Sequence, residues 1–167
     1  MKKIFTGIMI IVVLMVSPQL VFAKAKTIQL RVAASKDEMK TVPNQKYSYV
    51  AHNGETPKDI YVSKDVVISN GDIQSMMAVS KEGIVVIHIT LTAEGTKKLT
   101  DVTAKETRKR LAVVIDNEVL TAPMILFSIK NGQFAISHWS INTAESAKKF
   151  ITDLGFTPSL QSDSTKK

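Results

Sequence analysis

The 167-residue sequence has no cysteine, one tryptophan, three histidines and only 6% aromatic residues. Each scarcity removes a class of explanation. Without cysteine there is no disulfide to staple a small fold, no thiolate for zinc or for nucleophilic attack, and no attachment point for a lipid. His52, His88 and His138 lack the close spacing of helix or hairpin metal motifs, so no metal or other cofactor is expected. Few aromatics and no aromatic-plus-basic cluster argue against single-stranded nucleic acid as a partner. The seven glycines form neither a phosphate-cradling loop nor a Gly-x-Ser-x-Gly elbow. Ser137 and His138 are neighbours on an expected strand and so point to opposite faces, which denies them the hydrogen bond of a nucleophile and its base. Asp116 with Glu118, and Glu94 with Gly95, read as a turn and a helix start rather than as sites. The sequence gives no reason to expect an enzyme.

Long apolar runs are also scarce. The one present, Ile8 to Val16, follows Lys2 and Lys3 and precedes Ser17-Pro18 and Val21-Phe22-Ala23. It is short of the roughly 20 residues that span a bilayer, and its flanks fit a cleavable export signal over residues 1–23. Cleavage after Ala25 fits the same pattern. The chain is therefore expected to be periplasmic or secreted, with no integral membrane segment once the signal is gone. Loss of Lys2 and Lys3 lowers the net charge from +7 to +5, only mildly basic.

What remains is enough for one domain with its own core. Residues 24–57 read as a strand (Thr27–Ala33) and a connection broken by Pro43-Asn44, Asn53-Gly54 and Pro57. In this connection Tyr47, Tyr49 and Val50 make at most a short strand. Residues 58–157 carry the rest. Ile60–Val62 and Val66–Ile68 flank a turn, and Ile73–Ser80 and Ile84–Leu91 form a hairpin across Lys81-Glu82-Gly83. Along its second arm Val85, Ile87, Ile89 and Leu91 share one face and Val86, His88 and Thr90 the other, one face being core and the other wetter. Thr92 caps a helix over 93–109 whose basic end is Arg108-Lys109-Arg110.

Leu111–Ile115 and Val119–Thr121 make a second hairpin through Asp116-Asn117. Pro123, unable to donate to a ladder, marks a strand start or edge, with a new strand expected over 124–129 and another over 133–139. Asn142 and Glu145 suggest a capping box for a second helix, which Gly155 and Pro158 close. Residues 158–167 read as a disordered polar tail. The expected fold class is α+β, a largely antiparallel sheet with two helices packed on one face.

The stretches DIYVSKDVVISNGDIQSM (59–76), VIHITLTAEGTKKLTDVT (86–103), KRLAVVIDNEVLTAPMI (109–125), NGQFAIS (131–137) and TAESAKKF (143–150) carry a resemblance. In order, they are similar to the head subdomain of the first large extracytoplasmic domain of the protein-export translocase subunit SecD. The resemblance runs from Asp59 to Leu154, and IQLRV at 28–32 is similar to the strand leading that domain. It implies a head without the proton-driven membrane motor, and in the family that head is thought to contact translocating polypeptide. One departure is local: His138-Trp139-Ser140-Ile141 stands where the family usually has Gly-Asn-aromatic-Thr.

Candidate partner-binding residues are the exposed apolar and aromatic groups. Trp139 and its neighbour His138 lie between a strand and a helix cap, and tryptophan is favoured at binding hot spots. Met76 and Met77 are adjacent in a strand, so one faces away from the core; methionine suits an adaptable surface. Phe127 and Pro123 lie where a sheet edge is positioned to accept an extended segment. The partner expected is a polypeptide in the cell envelope, unfolded or in transit. The alternative is one dedicated folded target, the chain acting as an inhibitor or immunity-type factor.

Overall fold

A computed structural model describes residues 25–162 apart from 35, 36, 38, 41, 42 and 51–53. The expected export signal, His52 and the last five residues lie outside the described residues. Two sheets form. One has five antiparallel strands in the order β2 (Asn44–Tyr49), β3 (Lys58–Ser63), β1 (Ile28–Ala34), β6 (Arg110–Ile115), β7 (Glu118–Thr121). The other runs β8 (Gln133–Ile136), β5 (Ile84–Leu91), β4 (Ile73–Lys81), β9 (Ser159–Ser162), and only the β4–β9 pair is parallel. With helices α1 (Ala93–Lys105) and α2 (Ala144–Asp153), the fold is α+β and largely antiparallel, as expected, with the strands divided between two sheets.

The hairpin turns place two residues each in the left-handed region, which Gly83, Asp116 and Asn117 accept readily and Glu82 does not. Glu82 and Gly83 (φ +52° and +80°) join β4 to β5, and Asp116 and Asn117 (φ +50° and +96°) join β6 to β7. Two consecutive left-handed residues give the type I′ turn that matches the right-handed strand twist. The β6–β7 turn is also tied down: the Asp116 carboxylate accepts from the Thr27 amide at 2.8 Å, and the Tyr47 hydroxyl donates to Asn117 Oδ1 at 3.2 Å. That last bond joins the two edges of the five-stranded sheet. The sheet curls until β2 meets β7 around a small core of Ala33, Tyr47, Ile60, Val62, Ala112, Val114, Val119 and Ala122.

Its other face supplies Ile28, Leu30, Leu111 and Val113 to the main core, which also takes Met76, Ala78, Val85, Ile87, Ile89 and Leu91 from β4 and β5, with Leu99 and Ile151 from the helices. β6 therefore has two buried faces, which is why its sequence reads as an unbroken apolar run rather than an alternating one. β5 does alternate, with Val85, Ile87, Ile89 and Leu91 inside.

Several local expectations differ from the structure: the strand expected over 133–139 ends at Ile136, Val66–Ile68 makes only the isolated Leu30–Ile68 bridge, and β2 is a full six-residue strand. Helix α1 stops at Lys105, four residues early, because the chain turns at Arg108 (φ +73°) and its next residues pair with another segment. Residues 124–129 form no strand: only the isolated Arg110–Met124 bridge appears, and Ser128 and Ile129 bond to α1 instead. The α2 cap is Thr143 with Ser146, not Asn142 with Glu145. Residues 159–162, expected within a disordered tail, form β9. Gly155 (φ +85°) reverses the chain, and β4 offers a free edge at Met77–Ser80.

Helix α1 is seated by one close approach. A Cβ on Gly95 would lie 2.6 Å from the Asp72 carbonyl oxygen, so only glycine lets the first turn rest on the 3-10 turn Asn70–Asp72. The Asp72 carboxylate accepts from the Ser69 amide and hydroxyl at 2.9 and 3.0 Å and from Lys98 Nζ at 2.8 Å. Burial opposes its ionisation, but these donors outweigh burial and hold its pKa below the ordinary carboxylate value.

Candidate functional site

The connection from β7 to β8 and the loop from β8 to α2 form one end of the molecule. Pro123 starts the first. Its carbonyl accepts from the Leu111 amide at 2.9 Å, while the Arg110 guanidinium donates to the Ala122 carbonyl at 2.8 Å. Arg108 and Lys109 continue the pairing. The Arg108 amide donates to the Ile125 carbonyl and the Ile125 amide to the Lys109 carbonyl, both at 2.8 Å. Farther on, the buried Thr103 hydroxyl donates to the Leu99 carbonyl at 2.7 Å and accepts from the Ile129 amide at 2.9 Å. Pro123 to Ile129 is thus fixed at both ends without belonging to a sheet.

Three clefts meet along this end. The first, of about 570 Å³, is lined by Tyr49, Ile84, Arg110, Pro123, His138 and Trp139 among others. A second, of about 460 Å³, shares Tyr49, His138 and Trp139 and adds Ile115, Leu120 and Phe150. The third, of about 640 Å³, shares Pro123 with the first and runs along Met124–Asn131 to Phe134 and Ala135. Trp139 is the wall between the first two and Pro123 the wall between the first and third. Trp139 is 45% exposed and Ile84 63%, so apolar surface is on offer. These volumes lie in the range of pockets that bury a ligand.

The imidazole of His138 lies beside the indole of Trp139, ring centroids 4.9 Å apart. Its Nδ1 is 2.7 Å from the Ser140 hydroxyl and accepts from the Ser140 amide at 3.3 Å. Burial pushes its pKa below the ordinary histidine value, against the backbone of Val50, which raises it. Both bonds to Nδ1 come from one residue two positions on, a local turn that fixes the loop carrying Trp139.

Of the six residues singled out from the sequence, the structure brings Pro123, His138 and Trp139 together around the first cleft and puts Phe127, 79% exposed, in the third. Met76 is 2% exposed and belongs to the main core, so it offers no surface. Met77 is half-buried opposite His88 on the outer face of the four-stranded sheet and lines none of the three clefts. Sequence reasoning missed Tyr49, at the end of a strand longer than expected, and Ile84. The signal for Ile84 was present: it has the parity of Val86 and His88, opposite to the core-facing residues of β5. Among the described residues no three acidic or histidine side chains are gathered closely enough to hold a metal ion.

Residues 44–154 match the family described as SecDF, P1 head subdomain. The chain belongs to this SecDF P1 head family. The match runs from β2 to the end of α2, so it begins fifteen residues before Asp59, where the sequence resemblance was read to start, and leaves β1 and β9 outside. The protein translocase subunit SecDF of Thermus thermophilus is 36% identical over 86 residues, 49% of this chain but only 12% of that protein. A solved structure of SecDF, described as a membrane component that enhances protein export, aligns with a TM-score of 0.58 at 21% identity, covering 78% of this chain and 62% of the other. A second, of SecDF in a super-membrane-facing form, gives 0.55 at 20%, covering 78% of this chain and 19% of the other. At these identities the structures show the shared P1 head fold. The chain thus spans a small part of the SecDF relative it matches in sequence, and no helix among its described residues is long and apolar enough to cross a membrane.

Proposed function

We propose that this chain is an exported, non-catalytic binding module of the cell envelope that holds unfolded or translocating polypeptide in the clefts around Trp139. The observation that carries the proposal is the joined run of clefts, walled by Tyr49, Trp139 and Pro123 and lined mainly by apolar groups. An extended chain presents apolar side chains at intervals. Clefts in series take them one at a time, with Trp139 and Ile84 supplying contact area at little cost in side-chain entropy. Family membership supports the same reading, since a SecDF relative is described as enhancing protein export. The role is holding rather than pulling. Residues 1–23 deliver the chain to the periplasm or the exterior by the export signal read above.

The test is fluorescence anisotropy of a reduced and alkylated, permanently unfolded polypeptide titrated with the chain from Lys24 onward. Saturable binding that falls about tenfold or more in Trp139→Ala, with an unchanged melting curve, supports the proposal. No binding by the wild type overturns it. Retention of one stoichiometric folded protein from an envelope extract, with no affinity for the unfolded probe, overturns it in favour of the dedicated-partner reading.

A further inference from the structure

Seven large apolar side chains are well exposed among the described residues, and three of them, Met124, Leu126 and Phe127, fall within four consecutive positions. The fourth, Ile125, is 4% exposed and sits in the main core. This stretch is held, not loose. Its first half is bonded through Ile125 to Arg108 and Lys109, and its second half through Ile129 to Thr103 and Thr100. A fixed backbone anchored by one buried isoleucine pushes Leu126 and Phe127, 61% and 79% exposed, out as an apex.

Cations stand at its base. Arg108 and Lys130 are exposed at the two ends of the segment and form no ion pair with an acid among the described residues, whereas Glu106 is taken by Lys109 at 2.7 Å.

We propose that the Met124–Lys130 apex is a membrane-surface contact, inserting Leu126 and Phe127 into the interface of a bilayer while Arg108 and Lys130 meet anionic phospholipid headgroups. The occupant follows from shape and charge. Phe127, 79% exposed, leaves most of its surface outside the cleft that it lines. A soft apolar layer accepts such a projection without a matching cavity. Unpaired Arg and Lys around an apolar apex complement the negative charge of anionic lipid. Proximity to a bilayer would bring the Trp139 clefts to where a chain emerges from the membrane, but the contact does not depend on those clefts.

The test is cosedimentation with vesicles of equimolar phosphatidylglycerol and phosphatidylcholine, compared with phosphatidylcholine alone. The chain from Lys24 onward is used, so that the apolar run Ile8–Val16 contributes nothing. It contains every helix and strand among the described residues. The wild type is expected to bind the anionic vesicles, more weakly as salt rises. Leu126→Ser with Phe127→Ser is expected to lower the partition coefficient by about tenfold or more, and Arg108→Gln with Lys130→Gln by about fivefold per charge. Both pairs are exposed, so unchanged melting curves verify that the variants fold, and Trp139→Ala is expected to bind vesicles like the wild type. A wild type that stays in the supernatant overturns the proposal. So does an apex variant that binds vesicles undiminished, or one whose loss is confined to an unfolded polypeptide or to self-association.

Discussion

Replacing Gly95 by alanine tests how α1 is seated. Alanine is the better helix former by about 1 kcal/mol in a helix interior, so on propensity alone the variant would be more stable. The structure argues the opposite. The new Cβ would lie 2.6 Å from the Asp72 carbonyl oxygen and 2.9 Å from the Asp72 Cβ, atoms fixed by the 3-10 turn and by the bonds from Ser69 and Lys98. Either α1 lifts or Asp72 moves. Overpacking of this kind costs typically 1–3 kcal/mol, and movement of Asp72 weakens its contact with Lys98. Gly95 is in the first turn, where the propensity gain is smaller than in the interior, so the net expectation is a loss of about 1–2 kcal/mol. For a domain of this length that lowers the midpoint by roughly 3–8 °C. Urea unfolding followed by circular dichroism measures it, with an unchanged slope showing that stability and not compactness has altered. Gly71→Ala is the control: a Cβ there meets only the Ser69 hydroxyl at 3.9 Å, and a change within about 0.5 kcal/mol is expected. A Gly95→Ala variant as stable as the wild type would refute the seating of α1 on Asp72.

Asp72 also sets an acid limb. Its folded pKa is depressed, so its contribution is full above the unfolded value of about 4 and is lost as pH falls through the lower folded value. Asp72→Asn should flatten the pH dependence of the melting midpoint in that window. Thr103→Val keeps the volume but leaves the Ile129 amide without its acceptor, at a cost of about 1–3 kcal/mol, and hydrogen exchange at Ile129 should quicken. Met76→Ala is expected to cost about 2–5 kcal/mol as a core truncation, and Met77→Ala under about 1 kcal/mol as a half-exposed one; equal effects would contradict the facing of β4.

What the sequence made legible was set by local chemistry. Asp116-Asn117 announces its hairpin because Asp and Asn accept left-handed positions, Gly83 marks the other turn, and the alternation along β5 separates its two faces. What it hid depends on distant partners. SLQS at 159–162 has one apolar residue and no period, and it is a strand only because β4 has a free edge. Residues 124–129 look like a strand by composition, yet Ile125 pairs only with the short stretch Arg108–Lys109, and Thr100 and Thr103 of α1 claim the backbone groups of Ile129. Of Met76 and Met77, pattern alone says that one faces out; register says it is Met77. Pro123, His138 and Trp139 were legible singly as unusual residues, but their meeting across loops separated by a strand was not.

The same arrangement decides where binding and stability are coupled. Trp139 sits on a loop fixed within itself by the bonds between His138 and Ser140, and it touches the clefts without carrying the core. Pro123 is different. It heads a segment whose far end hangs on Thr103, a fully buried side chain in the last turn of α1, and the first turn of α1 rests on Asp72 through Gly95. A change under α1 therefore reaches the wall between the first and third clefts through Ile129 and Ile125, whereas a change at Trp139 does not reach α1. Thr103→Val should then weaken polypeptide capture and vesicle contact together with stability, and Trp139→Ala should weaken capture alone. That asymmetry follows from the far end of this connection being held by side chains of a helix, while its near end pairs backbone to backbone with Arg108–Leu111.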